Sequence, residues 1–201
     1  SASHGEFTGL PVRKEFFAIR PKPVTGELNI LITGGSRGSQ RINNAVRGAW
    51  PDLKNLPVRS VHQTGTEDLL AISKDFKETG LQGSVVPFIP DMPKAFSDAH
   101  LVICRSGAGT VSELAAAGRA SVLIPFPFAA DDHQLRNAQA MEREGAARIV
   151  QDKDLTPERL VNEIRQFDAR STASMGEAAR KLAKPNAAER AAEILEECAG
   201  A

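Results

Sequence analysis

Ala99-His-Leu-Val-Ile-Cys-Arg-Ser-Gly-Ala-Gly-Thr-Val-Ser-Glu113 decides how this chain folds. The apolar run Ala99–Cys104 reads as a strand covered on both faces. A glycine turn follows, and the small residues Leu114-Ala-Ala-Ala117 continue as a helix. Backbone N–H groups at such a helix start have no intrahelical acceptor and attract phosphate. Glu113, one turn inside, is placed to accept hydrogen bonds from sugar hydroxyls. A second loop of similar design, Thr33-Gly-Gly-Ser-Arg-Gly-Ser39, follows the apolar run Leu28-Asn-Ile-Leu-Ile32. Two anion cradles on one sheet imply a diphosphate ligand with a sugar attached.

Outward from these loops, apolar runs and amphipathic stretches alternate, which predicts an α/β fold: a Rossmann-like parallel sheet with helices on both faces. The pattern places strands near 28–33, 57–62, 83–88, 100–104, 120–124 and 146–150. It places helices near 39–49, 65–74, 91–98, 109–117, 132–144, 156–167, 171–183 and 186–198. Thr156-Pro157 supplies an N-cap with proline at the first helical position. Gly118 and Gly145 fall where helices end. The stretch 18–27, with Pro21, Pro23 and Thr25-Gly26, reads as a linker or an approach to the first strand. Ser1-Ala-Ser-His-Gly5 reads as a tag remnant or loose terminus.

Composition narrows the function classes. The 201 residues suffice for one domain with a sizeable core. Lys+Arg and Asp+Glu are both 25, so the net charge is zero and a nucleic-acid partner is not expected. The longest apolar stretch, 120–130, is broken by Pro125 and Pro127 and falls short of the roughly 20 residues a membrane span needs. Any membrane contact is therefore expected to be peripheral. Cys104 and Cys198 read as reduced thiols, and no Cys/His cluster has zinc spacing.

Neither glycine loop is a P-loop, because no Gly-Lys-Ser/Thr follows, and neither matches G-x-G-x-x-G. Asp52 follows Trp50-Pro51 rather than ending a strand, so a dinucleotide-binding fold is disfavoured. In the first loop, Gly34-Gly35 lets a ligand approach the backbone and Ser36 offers a hydroxyl. In the second, Ala108, Gly109 and Thr110 carry the free N–H groups. Glu113 has two readings: a capping-box acid facing Thr110, or a bidentate acceptor for ribose hydroxyls. A third segment, Phe126-Pro-Phe-Ala-Ala-Asp-Asp-His-Gln-Leu-Arg-Asn137, leads from a strand into a helix. His133, Gln134 and Asn137 can share one face or first turn there, and the Gln and Asn amides suit sugar hydroxyls. Phe88-Ile89-Pro90 forms an apolar rim able to sandwich a flat base. Arg13 by itself reads as a surface arginine.

Taken together, Gly9-x-Pro-Val-Arg13, Gly34-Gly-Ser36, Phe88-Ile-x-Asp-Met92, Cys104-Arg-Ser-Gly-Ala-x-Thr-Val-Ser-Glu113, Ala115-Ala-Ala-Gly118 and Asp131-Asp-His-Gln134 with Asn137-Ala138 resemble the C-terminal half of the bacterial peptidoglycan N-acetylglucosaminyltransferases. The resemblance runs from Gly9 to the C-terminus and implies the donor-binding domain of a two-domain GT-B enzyme. It implies UDP-GlcNAc as donor, lipid I as acceptor through a separate N-terminal half, and peripheral attachment to the cytoplasmic face of the inner membrane. The donor would be held by Arg13, Ser36, Ile89, the run Ala108, Gly109, Thr110, Val111, Ser112 and Glu113, and by His133 and Gln134. Within it, Ser36 stands near the diphosphate, Ile89 reads the uracil edge, Glu113 holds the ribose, and Gln134 with His133 holds the GlcNAc hydroxyls. No metal or other cofactor is implied, and the catalytic base is expected in the N-terminal half.

The domain division that follows is 1–27 as tag remnant and interdomain segment, 28–185 as the UDP-GlcNAc-binding domain, and 186–201 as a C-terminal helix for packing on the N-terminal half. Alternatives are another UDP-sugar GT-B domain (a diacylglycerol glycosyltransferase, a UDP-GlcNAc 2-epimerase, a split transferase subunit) or a non-catalytic nucleotide-sugar-binding module.

Overall fold

A computed structural model describes residues 5–200; Ser1–His4, most of the expected tag remnant, lie outside them. The described chain runs α1 (Lys14–Phe17), β1 (Leu28–Thr33), α2 (Gln40–Leu53), β2 (Val58–Gln63), α3 (Leu69–Thr79), β3 (Gln82–Val86), α4 (Met92–Asp98), β4 (Leu101–Cys104), α5 (Ala108–Ala117), β5 (Ala120–Leu123), α6 (His133–Arg143), β6 (Arg148–Ile149), α7 (Pro157–Ile164), α8 (Ala169–Lys181) and α9 (Ala187–Ala199). The strands form one sheet in the order β3-β2-β1-β4-β5-β6, and all pairs are parallel. This is the dinucleotide-binding strand order, although neither glycine loop carries that fold's fingerprint. Topology follows from strand patterning, whereas the fingerprint belongs to one ligand. The order reverses between β1 and β4, so the crevice for a ligand lies outside their carboxyl ends.

β4 is buried along its whole length, because side chains of both signs of the pleat meet a helical layer. Leu101 and Ile103 join the core beneath α2 and α7, where Trp50 and Phe76 meet edge to face at 5.3 Å. Val102 and Cys104 join the core beneath α5, where Phe16 and Phe96 do the same at 5.2 Å.

The structure departs from the pattern reading where packing overrides local signals. α1 was not expected, and it forms around Phe16, which is wholly buried. α2 continues through Pro51 to Leu53 because Trp50 and Leu53 are both buried. The proline leaves the Arg47 carbonyl without its helical donor, but that turn is exposed to water. α3 starts at Leu69 rather than 65, because residues 64–68 are used as a buttress. Gly38 (φ +78°) and Gly65 (φ +80°) lie back to back. A Cβ on Gly38 would strike the Thr64 carbonyl, and one on Gly65 the Arg37 carbonyl. The stretch after α1 is not loose: Arg180 donates to the carbonyls of Ile19 (2.6 Å) and Ala117 (2.8 Å), and Arg119 to those of Phe96 (2.7 Å) and Arg20 (3.0 Å).

His62 of β2 is fully buried beside this buttress. Its Nε2 is 3.1 Å from Asn43 Oδ1, and Asn43 Nδ2 donates to the Thr64 carbonyl and to Asp68. Burial lowers its pKa from 6.5 to about 4. The folded chain thus holds His62 neutral while the unfolded chain takes up a proton below 6.5. Stability is expected to be flat above pH 6.5 and to fall as pH drops from there towards 4. Urea melts at a series of pH values should show this slope flattened in His62→Gln; identical slopes would remove His62 as its source.

Candidate functional site

The site assembles from the loops that leave the carboxyl ends of β1, β4 and β5. In the β1 loop, Gln63 of the neighbouring strand acts as a brace: its Nε2 donates to the carbonyls of Gly35 (2.8 Å) and Ser36 (3.2 Å), and its Oε1 accepts from Thr33 Oγ1 (2.5 Å). Thr33 Oγ1 accepts in turn from the Gly35 N–H (3.1 Å). Ser39 closes the loop as N-cap of α2. Ser36 is exposed, and its hydroxyl and N–H have no protein partner among the described residues.

In the β4 loop, Gly107 caps α5 without a side-chain bond, and the first internal bond is Val111 N–H to the Gly107 carbonyl (3.0 Å). The N–H groups of Ala108, Gly109 and Thr110 therefore point out of the helix start, where the helix dipole adds about 0.3–1 kcal/mol per bound anion. Ser106 fixes the loop to α6: its hydroxyl donates to the Gln134 carbonyl (2.8 Å), and its own carbonyl accepts from Asn137 Nδ2 (3.0 Å).

Arg105 joins the loops, and sequence reasoning missed that role. Its guanidinium donates to the carbonyls of Ile124 and Pro125 (3.2 Å each), to Asp152 Oδ1 (2.6 Å) and to Ser39 Oγ (2.8 Å). One side chain directly after β4 thus ties the β1 and β5 loops together. The available signal was an arginine directly after an all-apolar strand, where a charge has to find buried acceptors. Gln63, at the end of β2, was missed too.

Glu113 makes no capping bond: α5 has none, and its carboxylate has no hydrogen-bond partner among the described residues. Partial burial raises its pKa, and the nearby charge of Arg13 lowers it again. Glu113 is thus an acid without a hydrogen-bond partner among the described residues, partly withdrawn from water and near a cation. Ile89 buries its side chain, while its backbone N–H and C=O have no protein partner among the described residues. Pro90 and Asp91, which follow it, line a hollow together with Arg13.

The β5 loop reaches α6 through Asp131 and Asp132, both in left-handed conformation (φ 50° and 52°). His133 Nδ1 lies 2.8 Å from the Ala130 carbonyl, so it carries the proton and leaves Nε2 as an exposed acceptor. Gln134 Oε1 accepts from the Phe126 N–H (3.0 Å), which leaves its NH2 to donate elsewhere.

Gly34, Gly35, Arg105, Thr110 and Gln134 line one cavity of about 560 Å3. Ala108, Val111 and Ser112 line an adjoining groove of about 600 Å3 against residues 6–12. Of the sequence-predicted residues, Thr110 and Gln134 thus share the first cavity, Ala108, Val111 and Ser112 line the second, and Arg13 lies close enough to Glu113 for their charges to interact.

The family model "Glycosyltransferase family 28 C-terminal domain" matches residues 29–195. The chain is 58% identical over 196 residues to a UDP-N-acetylglucosamine–N-acetylmuramyl-(pentapeptide) pyrophosphoryl-undecaprenol N-acetylglucosamine transferase of Solibacter usitatus, covering 96% of this chain and 54% of that protein. A transferase of the same name from Paraburkholderia phytofirmans is 44% identical over 207 residues, with 98% and 56% covered. The crystal structure of Acinetobacter baumannii MurG superposes with a TM-score of 0.82 at 37% identity, covering 89% of this chain and 55% of that one. The chain spans about half the length of the curated relatives it matches.

Proposed function

The chain belongs to the glycosyltransferase family 28 C-terminal domain family, and on that footing we propose that it is the donor half of an N-acetylglucosaminyltransferase that converts lipid I to lipid II. The observation that carries this reading is a set of groups without a protein partner among the described residues: the three N–H groups at the start of α5, the Ser36 hydroxyl, the Ile89 main-chain edge and the Glu113 carboxylate. Each matches one part of UDP-GlcNAc. The N–H groups and Ser36 receive the diphosphate, Glu113 the ribose hydroxyls, and Ile89 the uracil edge with Arg13 beside it. Gln134 and His133 receive the hexose hydroxyls.

Attack on the anomeric carbon expels UDP and builds negative charge on the β-phosphate oxygen. The α5 N–H groups and dipole are fixed where that charge grows, so no reorganisation is needed as it forms. The acceptor hydroxyl needs a general base, which this reading assigns to the other half. The same reading gives α9 its role. Leu195 is 71% exposed, Ile194 is half-buried, and of this helix only Ala187 reaches the core, so its apolar stripe is available to that half. No helix among the described residues is long and apolar enough to cross a membrane; attachment at the cytoplasmic face falls to the other half.

Titration calorimetry with UDP-GlcNAc, UDP-glucose, UDP and GDP tests the reading. UDP-GlcNAc and UDP are expected to bind and GDP not; tight GDP binding would remove it. Gln134→Ala should weaken UDP-GlcNAc by about 0.5–1.5 kcal/mol and leave UDP unchanged, and equal losses for both ligands would contradict the hexose role. Supplying the N-terminal half in trans should restore transfer to a lipid I analogue that this chain alone does not support.

A further inference from the structure

The β5 loop carries two exposed phenylalanines that the diphosphate and hydroxyl contacts leave unused. Phe128 is 85% exposed and Phe126 43%. Their rings meet edge to face with centroids 5.7 Å apart. Single exposed apolar side chains need no explanation, but this pair is held in place. The Phe126 ring lies over the Arg105 guanidinium, 5.5 Å from centroid to carbon, and its N–H is bonded to Gln134 Oε1. Both rings border the same cavity as Gly35, Thr110 and Gln134.

We propose that Phe126 and Phe128 form the aromatic wall of the hexose subsite, packing on the C–H face of the sugar that Gln134 holds by its edge. A pyranose ring has two chemically distinct aspects. Its equatorial hydroxyls demand hydrogen bonds in the ring plane, and its axial C–H bonds present an apolar face. Gln134 and His133 answer the first aspect only. The second is answered by aromatic carbon, whose negative quadrupole face suits polarised C–H groups. The Phe126 N–H bond to Gln134 makes the two contacts one unit: seating the amide seats the ring. Arg105, which fixes the β1 and β5 loops, backs that ring. The occupant is the donor sugar because the wall adjoins the free α5 N–H groups, which hold the phosphate to which that sugar is attached.

The inference rests on the donor-binding reading, so the experiment separates the two. The chain and its Phe126→Ala, Phe128→Ala and Phe126→Tyr variants are titrated with UDP and with UDP-GlcNAc. Phe128→Ala is the safeguard, since so exposed a side chain can be removed without disturbing the fold. Each alanine variant is expected to lose roughly threefold to tenfold in UDP-GlcNAc affinity, with UDP affinity unchanged and Phe126→Tyr close to wild type. Saturation-transfer NMR should show the hexose C–H protons receiving magnetisation, and less of it in the alanine variants. Normal UDP-GlcNAc affinity in both alanine variants overturns the aromatic wall while leaving the donor site intact. Equal loss of UDP also overturns it, since the rings would then only support the phosphate loops. A wild-type chain that binds neither ligand removes the donor reading and this inference with it.

Discussion

Glu113→Ala is expected to weaken UDP and UDP-GlcNAc alike, by about 1.5–3 kcal/mol, or roughly 10- to 150-fold in Kd. The two ligands share the ribose and differ only beyond the diphosphate, so a loss confined to the sugar-bearing one would sink the ribose assignment. The carboxylate is partly withdrawn from water and has no hydrogen-bond partner in the described residues, so its hydrogen-bonding capacity is unused until a ligand arrives. Its raised pKa has two consequences of opposite sign. Ligand affinity should fall as pH drops through the raised value, because the protonated acid is a poorer acceptor. Fold stability behaves the other way: the unfolded chain releases this proton more readily, so the charged form costs stability once pH rises through the folded value. Glu113→Gln should therefore bind weakly yet melt no lower than wild type at neutral pH, and the difference in melting should vanish in acid. Calorimetry and thermal melts on one preparation read both effects.

Arg105→Ala should be the most damaging change to the site as a whole. It removes four hydrogen bonds and leaves Asp152 with Arg41 at 4.0 Å as its remaining ion-pair partner. Breaking a buried pair by deleting one partner costs about 3–5 kcal/mol. The second arginine and the partial exposure of Asp152 put the expected value near the lower end, about 3 kcal/mol. For a chain of this length that corresponds to a melting temperature lower by about 6–12 °C. UDP affinity should fall as well, because the two loops proposed to receive phosphate lose their common anchor. Arg105→Lys should recover little, since one ammonium cannot reach acceptors that a planar fork spans. A melting point within two or three degrees of wild type and undiminished UDP binding would show that the loops hold their places without it.

How much of this was legible beforehand differs between elements. The six strands and their parallel pairing followed from apolar runs alternating with amphipathic stretches, because burial on two faces leaves its mark on every residue of a strand such as Leu101–Cys104. Both glycine loops were legible for the same local reason. Boundaries failed where distant parts of the chain intervened: α1 forms around Phe16 because Phe96 receives it, and α3 starts late because Gly65 must abut Gly38. A capping role for Glu113, open in the sequence, is closed by the geometry of α5.

By itself, then, the sequence determined the layer architecture, the two glycine turns that lead into helices and the family pattern. Those features depend on side-chain period and on neighbours a few residues away. Only the tertiary structure decided which groups stand unpartnered and which are already used. Arg105 meets Asp152 across 47 positions and Gln63 meets Gly35 across 28. Such pairings are set by the order in which strands enter the sheet, because that order alone brings the loop ends of β1, β2, β4 and β5 to one edge.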